Sequence, residues 1–345
     1  GVMLSGGTRK IEVKDLLSRR SVVSDLSPVL KLIEGKRVLI TGAGGSIGSE
    51  LARQVHALGP QVLTLIDNSE YHLYAIGTAL PHANRLLADV RDTNRIYDVF
   101  KTFKPEVVFH AAALKHVPIV QANPIEGVKT NVFGTQNVVD AAIVAETETL
   151  VMVSTDKAVN PVSVMGATKR VAEMYVRAAG YSVVRFGNVL GSSGSVVPLF
   201  EAQIAKGGPI TLTDEDVERY FMTIDEAVEL VLLAATGQRA TYVLDMGEPV
   251  NVGALARDMI RLSGKMPDSE INVELTGLRP GERLQEELFY SKETVKPSGM
   301  AGIMVADSVI YSNVGAAIGR LEELIRIGLV EESLAVLWRA IRVGS

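Results

Sequence analysis

The 345-residue sequence contains no cysteine and only five histidines, which are scattered along the chain. Without cysteine it can form neither a disulfide scaffold nor a thiolate metal site, and His110 and His116 do not have the spacing of metal ligands. The sequence therefore predicts no bound metal. The lack of cysteine also fits a reducing cytoplasm.

An excess of basic charge and long apolar runs are missing as well. The chain has 35 Lys and Arg against 40 Asp and Glu, which gives a formal net charge of -5 and a pI near 5.7. With no basic run, we expect no nucleic-acid partner. Apolar stretches such as residues 150–153 and 230–235 are far too short to cross a bilayer, and no signal-peptide pattern opens the chain.

The chain opens on residues 1–8, which do not begin with Met and are rich in Gly and Ser. We interpret them as a linker or a cloning remnant rather than a natural start. Residues 1–35 as a whole are predicted to form an N-terminal linker or extension.

Between residue 36 and about residue 185, short β-branched runs alternate with amphipathic stretches. The predicted strands cover residues 37–41, 61–66, 85–88, 106–110, 150–154 and 182–185. Near-continuous apolar strands separated by helical patterns are typical of a parallel sheet covered on both faces. Later segments, a helix at 225–235 and smaller pieces around 242–245 and 271–275, predict a second lobe. The expected fold is a Rossmann-type doubly wound α/β sheet with a smaller C-terminal α/β lobe.

The first predicted strand runs into a glycine-rich turn formed by Gly42, Gly45 and Gly48. Glycines at these positions permit a tight turn and let the backbone approach a pyrophosphate, whose charge the N-terminus of the following helix holds. Ser46 and Ile47 begin that helix and are predicted to contact the same ligand. The turn therefore predicts a dinucleotide cofactor.

Two acidic residues follow the next two predicted strands. Asp67 can accept hydrogen bonds from an adenosine ribose and disfavours a 2′-phosphate, which favours NAD over NADP. The alternative is a structural glycine turn with Asp67 as an ordinary helix cap. Asp89, with Val90 beside it, either meets the adenine amino group or is a loop or cap carboxylate.

The fourth predicted strand ends at His110 and is followed by Ala111, Ala112 and Ala113. These small side chains would let a cofactor lie flat against the backbone, although alanine is equally a good helix or core residue. We predict that residues 36–187 form the NAD-binding domain. Residues 188–345 are predicted to form a substrate-binding lobe interleaved with it.

The glycine spacing, the turn at residues 110–113 and Asn131 within residues 130–135 together resemble the extended short-chain dehydrogenase/reductase family, and the match covers nearly all of the chain. Residues 113–118, 154–161 and 279–282 resemble nucleotide-sugar 4,6-dehydratases that act on UDP-N-acetylglucosamine. The resemblance implies tightly bound NAD and a UDP-N-acetylhexosamine substrate.

The Tyr-x-x-x-Lys pair of the general family is replaced here by Met165 and Lys169. With methionine at this position, the sequence resembles the long, membrane-associated dehydratases of bacterial polysaccharide and glycoprotein-sugar synthesis, which carry the same residue there. Residues 14–19 resemble the linker after their transmembrane helices. This implies a cytoplasmic catalytic part of a longer, membrane-tethered protein at the inner membrane. Lys169 would bind the nicotinamide ribose, while the alternative for Met165 is plain packing.

A 4,6-dehydration needs oxidation at C4, loss of the C5 proton, departure of the C6 hydroxyl and return of a hydride to C6. Asp156 and Lys157 end a predicted strand, at the edge where ligands bind in open α/β sheets. We assign Asp156 as the acid at the C6 hydroxyl and Lys157 as the base at C5. Thr155 is the candidate relay for the C4 hydroxyl proton. The alternative for Asp156 and Lys157 is an ordinary surface ion pair without a catalytic role.

The resemblance also implies a set of substrate contacts. Arg219 and Arg279 are predicted phosphate ligands, because a planar guanidinium matches phosphate oxygens. Asn188 is assigned to the diphosphate, Lys115 to the hexose and Glu282 to the uridine ribose. The full predicted set is Lys115, His116, Asn131, Asn188, Arg219, Arg279 and Glu282.

Two other functions remain open on this scaffold, a nucleotide-sugar epimerase or reductase and a non-catalytic NAD sensor. An epimerase normally keeps its tyrosine, and a sensor has no need of Asp156 and Lys157. By analogy with the family, the apolar helix predicted over residues 165–178 is expected to pack against a copy of itself in a homodimer or a larger homo-oligomer.

Overall fold

A computed structural model describes residues 12–17, 24–307 and 313–342. The predicted remnant at residues 1–8 therefore lies outside the described residues, as do parts of the predicted linkers at 1–35 and 14–19. Among the helices that are described, none combines the length and the hydrophobicity needed to span a bilayer.

The strands in chain order are β1 (Arg37–Thr41), β2 (Val62–Asp67), β3 (Asn84–Leu87), β4 (Val107–His110), β5 (Thr149–Thr155), β6 (Ser182–Phe186), β7 (Asn188–Leu190), β8 (Ile210–Leu212), β9 (Glu218–Arg219), β10 (Phe221–Thr223), β11 (Thr241–Leu244), β12 (Val250–Asn251), β13 (Val273–Leu275), β14 (Thr294–Pro297) and β15 (Ile303–Asp307). The α-helices are α1 (Ser27–Ile33), α2 (Ser46–Ala57), α3 (Glu70–Ala79), α4 (Thr93–Phe103), α5 (Val117–Ala122), α6 (Pro124–Gly127), α7 (Gly134–Val144), α8 (Val164–Ala178), α9 (Val196–Ala205), α10 (Ile224–Ala234), α11 (Val252–Leu262), α12 (Val314–Arg326) and α13 (Val330–Arg342). Short 3-10 turns cover Val13–Leu16 and Asp156–Ala158, and a π-helix covers Val128–Phe133.

The central sheet has the strand order β14-β15-β11-β6-β5-β4-β1-β2-β3. Neighbouring strands pair in parallel from β3 across to β11. At the other edge, β15 pairs antiparallel with both β11 and β14. The chain starts in the middle of the sheet and winds outward in both directions, which confirms the predicted Rossmann-type doubly wound fold. The six predicted strands are present, each within about two residues of its predicted ends.

Burial on both faces explains why these strands read as continuous apolar runs. In β1, Val38 and Ile40 belong to the core on one face of the sheet, and Leu39 belongs to the core on the other face. Successive side chains of a strand point to opposite faces, so a strand covered on both sides needs apolar residues throughout.

Two segments predicted for the second lobe belong instead to the main body. The helix predicted at 225–235 is α10, whose Val231 shares the main core with Leu51 of α2. The piece predicted at 242–245 is β11, which pairs with β6 in the central sheet. The lobe itself is built from β8, β13, α9 and α11 around a separate apolar cluster that includes Leu212, Leu255 and Ile271.

The apolar helix predicted to pack against a second copy is α8, and most of its residues are buried within this chain. Val171 and Met174 share an apolar cluster with Leu321 of α12 and Leu337 of α13. The chain's own C-terminal helices therefore cover the face that the prediction gave to a partner. Self-association through this face of α8 is not supported, and an oligomer would need another surface.

Candidate active site

The carboxyl ends of the parallel strands open into two neighbouring cavities. We call the first the turn cavity, about 440 Å³, which is lined by Gly42, Gly45, Asp67 and Asp89 among others. We call the second the strand-end cavity, about 350 Å³, which is lined by Thr155, Lys157, Lys169 and Arg279 among others. Ala111, Ala113 and Leu114 line both, so one long ligand could run from one cavity into the other.

The glycine-rich turn lies at the entrance to α2 and is as tight as the sequence predicts. Gly42 has φ 63°, and a Cβ there would lie 2.6 Å from the backbone nitrogen of Ala112. A Cβ on Gly48 would overlap the carbonyl oxygen of Gly42. Only glycine fits at these two positions, and the backbone between them is left bare for a pyrophosphate at the start of α2.

The helix start contributes two further predicted contacts. Ile47 lines the strand-end cavity. The hydroxyl of Ser46 accepts a hydrogen bond of 3.1 Å from the backbone N–H of Ser193, so Ser46 joins the turn to the loop after β7.

Asp67 links the end of β2 to the glycine turn. Its Oδ2 accepts the N–H of Gly44 and its Oδ1 accepts the N–H of Ser69, each over 2.9 Å. Each oxygen has a second lone pair, which suits the two hydroxyls of a ribose. Asp89 and Val90 also line the turn cavity, where Asp89 accepts the N–H of Arg91 over 2.9 Å. The turn role and the predicted adenine contact of Asp89 are therefore compatible.

A buried histidine holds the alanine turn in place. Thr41 Oγ1 accepts the N–H groups of Ala111 and Ala112, so its own hydrogen points to Nδ1 of His110, 2.6 Å away. We infer that Nε2 of His110 then donates to Thr135 Oγ1 over 2.9 Å. Burial lowers the pKa of His110 to about 3, so the ring is neutral and acts as a rigid bracket rather than as a proton carrier.

The three residues predicted for proton transfer meet at the end of β5. Asp156 Oδ1 accepts hydrogen bonds from Lys157 Nζ at 2.9 Å and from Thr155 Oγ1 at 3.1 Å. Lys157 Nζ also donates to Asn188 Oδ1 at 3.1 Å. Asp156 is 0% exposed, which argues against an ordinary surface ion pair. Its Oδ2 is buried and has no hydrogen-bond partner among the described residues.

Lys169 and Met165 both line the strand-end cavity, one helical turn apart on α8. Lys169 is 6% exposed and donates from Nζ to the carbonyl of Val153 over 2.8 Å. Burial lowers the pKa of Lys169 to about 8, against the opposing charge of Glu173. Met165 also belongs to the apolar cluster under α12 and α13, so it both packs in the core and forms part of the cavity wall.

Most of the predicted substrate contacts do line the strand-end cavity. They are Lys115, His116, Asn188, Arg219, Arg279 and Glu282. Arg279 donates to Glu282 Oε1 from Nε at 3.0 Å and from Nη2 at 2.6 Å. The guanidinium of Arg219 donates to the carbonyls of Arg283 and Leu284, among others. Both arginines are thus oriented by protein groups before any phosphate arrives.

Asn131 differs from its prediction as a substrate contact. It is 1% exposed, its Oδ1 accepts the N–H of Leu114, and its Nδ2 donates to the carbonyl of Leu114 and to Thr168 Oγ1. These three bonds use most of what an amide offers. Asn131 therefore fixes the segment that carries Lys115 and does not line the cavity. Burial lowers the pKa of Lys115.

No group of three His, Cys, Asp or Glu side chains within the described ranges is placed to hold a metal ion. The sequence profile described as "Polysaccharide biosynthesis protein" matches residues 38–308. The chain belongs to this family.

Members and neighbours of this family resemble the chain over most of its length. It is 47% identical over 309 residues to the "Probable polysaccharide biosynthesis protein EpsC" of Bacillus subtilis (strain 168), covering 85% of this chain but only about half, 51%, of EpsC. It is 30% identical over 277 residues to the UDP-N-acetylglucosamine 4,6-dehydratase (inverting) of Campylobacter jejuni subsp. jejuni serotype O:23/36 (strain 81-176), covering 76% of this chain and 80% of that enzyme. The solved structure of Pen from Bacillus thuringiensis superposes with a TM-score of 0.72 at 32% identity, covering 81% of this chain and 90% of Pen.

These comparisons confirm the predicted extended short-chain dehydrogenase/reductase family and fold. Solved structures of the same fold, a UDP-glucose 4-epimerase and a dTDP-glucose 4,6-dehydratase, hold NAD. Structural neighbours therefore hold the predicted cofactor, and the cradle at Gly42 and Gly48 fits it. Relatives and structural neighbours named as nucleotide-sugar enzymes include a UDP-N-acetylglucosamine 4,6-dehydratase, a UDP-glucose 4-epimerase and a dTDP-glucose 4,6-dehydratase.

A buried charge cluster that the sequence patterns did not predict lies directly behind the site. Arg185 is 0% exposed and pairs with Glu173 at 2.8 Å and with Glu293 at 2.9 Å. Ser154 Oγ donates to Glu173 Oε1 over 2.6 Å, which joins the cluster to β5. A signal was available, because an arginine inside the apolar run of β6 must be paired when it is buried.

Proposed function

We propose that this chain catalyses the NAD-dependent 4,6-dehydration of UDP-N-acetylglucosamine or a closely related UDP-hexosamine. The proposal rests on the contacts among Thr155, Asp156 and Lys157 at the C-terminal end of β5, beside Lys169. The name of the Campylobacter jejuni relative, a UDP-N-acetylglucosamine 4,6-dehydratase, supports the same reaction and substrate.

The cofactor would be held by residues of both cavities. The glycine turn would take the pyrophosphate, Asp67 the adenosine ribose and Lys169 the nicotinamide ribose. NAD bound there would supply the hydride acceptor for oxidation at C4 and the hydride donor for C6. Lys169 has donors left for ribose hydroxyls, because an ammonium group has three and only one contacts the carbonyl of Val153.

The elimination step uses the Asp156 and Lys157 pair. Asp156 gives a proton to the C6 hydroxyl, which leaves as water, and Lys157 removes the proton from C5. For these roles Lys157 must offer a neutral amine, and Asp156 must carry a proton at the moment the C6 hydroxyl leaves.

Proton balance is completed by the C4 hydroxyl. Its proton must leave as C4 becomes a ketone, and Thr155 Oγ1 already donates to Asp156 Oδ1 over 3.1 Å. The proton can therefore pass through Thr155 to Asp156, which then gives it to the leaving C6 hydroxyl. Lys157 returns its proton to C5 as the hydride reaches C6. No tyrosine is required on this route, which suits the methionine at position 165.

The decisive experiment follows UDP-N-acetylglucosamine by mass spectrometry after incubation with the purified protein and NAD. We expect a product lighter by one water and no accumulation of reduced cofactor. A product of unchanged mass but new configuration would point to an epimerase instead, and no turnover of UDP-hexoses despite bound NAD would favour a sensor. The Thr155→Val variant tests the relay, since full turnover in that variant would exclude it.

We also propose, from the resemblance to the long dehydratases, that the chain works at the cytoplasmic face of the inner membrane as part of a longer protein. The chain spans only about half of EpsC, which supports the longer protein but does not bear on the membrane. Fractionation of cells that express the full-length protein would test this proposal. If the full-length protein were found wholly in the soluble fraction, the proposal would be contradicted.

A further inference from the structure

The segment from Arg279 to Glu293 connects the wall of the strand-end cavity with the charge cluster behind it. Within this described segment there is no helix or strand. Its path is therefore set by side-chain contacts rather than by a backbone ladder. One end carries Arg279 and Glu282 in the cavity wall, and the other carries Glu293, which pairs with Arg185.

Between those ends, two side chains hold three consecutive backbone carbonyls. Tyr290 donates its hydroxyl to the carbonyl of Ala158 over 2.6 Å. Arg283 donates from Nη2 to the carbonyl of Val159 at 2.9 Å and from Nη1 to that of Asn160 at 3.0 Å. These carbonyls follow Asp156 and Lys157 directly in the chain.

The loop that receives these bonds needs external support. Asp156–Ala158 is a single 3-10 turn, and the last carbonyls of a helix have no partners within it. Asn160 has φ 41°, an uncommon backbone conformation that persists only when its surroundings fix it. Glu287 accepts the side-chain amide of Asn160 over 2.7 Å, so the same segment fixes this residue twice.

Tyr290 and Arg283 are themselves firmly placed. The ring of Tyr290 lies 4.3 Å below the guanidinium of Arg170, and its backbone N–H donates to Glu293 over 2.9 Å. Burial raises the pKa of Tyr290 to about 12, so its hydroxyl remains a donor across the assay range. Glu286 accepts Nε of Arg283 over 2.8 Å and directs the rest of the guanidinium toward the loop.

We propose that Tyr290 and Arg283 are positioning residues for the reaction: they fix the backbone at residues 158–160 and thereby hold Asp156 and Lys157 in register with the sugar. The inference rests on the proposed dehydration. Neither residue touches the reacting atoms. A displacement of about 1 Å at catalytic groups can cost about 100-fold in rate, so the loss of one such contact is measurable.

The test is the Tyr290→Phe variant, which removes only the hydroxyl and keeps the ring under Arg170. We expect kcat to fall by about 10- to 100-fold while KM and the amount of bound NAD stay within about twofold. Reduced cofactor should also accumulate during turnover, because elimination is slowed more than oxidation at C4. Its absorbance reports a displaced acid and base, which a general loss of stability would not produce.

The matched control is Tyr181→Phe. Tyr181 is another buried tyrosine whose hydroxyl donates to a carbonyl, that of Thr147 at 3.0 Å, and whose ring lies near an arginine, Arg239. It sits at the opposite end of β5 and β6, so its variant should keep kcat and show no accumulation of reduced cofactor. Equal losses in the two variants would overturn the inference.

Arg283→Lys is the second variant, and it serves if Tyr290→Phe fails to fold. A lysine keeps the charge but cannot reach two carbonyls with a planar fork, so kcat should fall with the same accumulation of reduced cofactor. If the wild type dehydrates UDP-N-acetylglucosamine and both variants have wild-type kinetics, the inference is overturned and the proposed function stands. A wild-type protein that does not dehydrate UDP-N-acetylglucosamine overturns the proposed function, and the inference with it.

Discussion

Lys157 donates from Nζ to Oδ1 of Asp156 over 2.9 Å, and the two residues are neighbours in the chain. The geometry leaves Oδ2 of Asp156 without a partner among the described residues, and Asp156 is fully buried. A buried polar atom without a partner is costly, so it is normally retained only where a ligand or the chemistry uses it.

Asp156→Asn should lower kcat by about 100-fold or more, because an amide has the shape of the carboxyl group but cannot deliver its proton. Binding of the UDP-sugar should change little, which can be measured by titration calorimetry beside the turnover assay. Asp92→Asn is the control, since Asp92 caps α4 through the N–H of Arg95 and asparagine caps equally well. Turnover of Asp156→Asn near the wild-type level would remove Asp156 as the acid.

The glycine turn allows binding and folding to be separated with two matched variants. A Cβ on Gly45 meets only the carbonyl oxygen of Gly42, at 3.3 Å, and the φ of -72° at Gly45 suits alanine. Gly45→Ala should therefore keep the melting temperature within a few degrees and weaken NAD binding, because Gly45 lines the turn cavity. Gly48→Ala should cost ~1–3 kcal/mol of stability, because its Cβ overlaps the Gly42 carbonyl.

Thermal unfolding and NAD titration of the two variants check this pair of outcomes. If Gly45→Ala bound NAD as tightly as the wild type, the pyrophosphate would not lie against this turn. If Gly48→Ala were fully stable, the close approach of α2 to the turn would be wrong.

The sequence was sufficient for the sheet and for most of the site because both depend on local patterns. Parallel strands buried on both faces are continuous apolar runs, and their carboxyl ends meet at one edge of the sheet. Thr155 and Asp67 could therefore be placed at that edge from the pattern alone. The structure places them at the ends of β5 and β2.

The features that the sequence analysis missed depend on contacts between distant parts of the chain. Arg185 and Glu293 are 108 positions apart, and no periodicity relates them. The cover of α8 by α12 and α13 has the same origin, because an amphipathic pattern shows that a helix has a buried face but not which helix buries it. Asn131 was misplaced for a related reason: a polar residue within a motif can bind the backbone of the motif as readily as it binds a ligand.

Asp67 and Asp89 offer a test of cofactor choice. Asp67→Ala should weaken NAD binding roughly 10- to 100-fold, as the loss of hydrogen bonds to a charged group does, and should reduce the preference for NAD over NADP. Asp89→Ala should weaken both dinucleotides equally, because both carry the same adenine. Calorimetric titration of each variant with both cofactors gives the ratios, and an unchanged ratio in Asp67→Ala would contradict its ribose role.

The buried Lys169 predicts a pH dependence of stability in the protein without NAD. Its pKa is about 8 in the fold against the ordinary lysine value of 10.5 in an unfolded chain, so between those pH values the unfolded chain holds more protons than the folded one. Stability then rises with pH across this window. Relative to Lys169→Met, which has no proton to exchange, the wild type should gain about 3 kcal/mol from pH 8 to pH 10.5.

Urea unfolding of both proteins at several pH values measures this difference. Met165→Leu, one turn away on α8, is the control: it alters packing at the same place but should shift the free energy of unfolding by the same amount at every pH. A constant gap between the wild type and Lys169→Met would show that Lys169 keeps its proton in the fold, because a lysine that binds its proton equally in both states contributes no slope. A gap that changes as expected would show that Lys169 loses its proton near pH 8. NAD binding should then weaken as the pH rises through 8, since the ammonium group would no longer be available to the ribose.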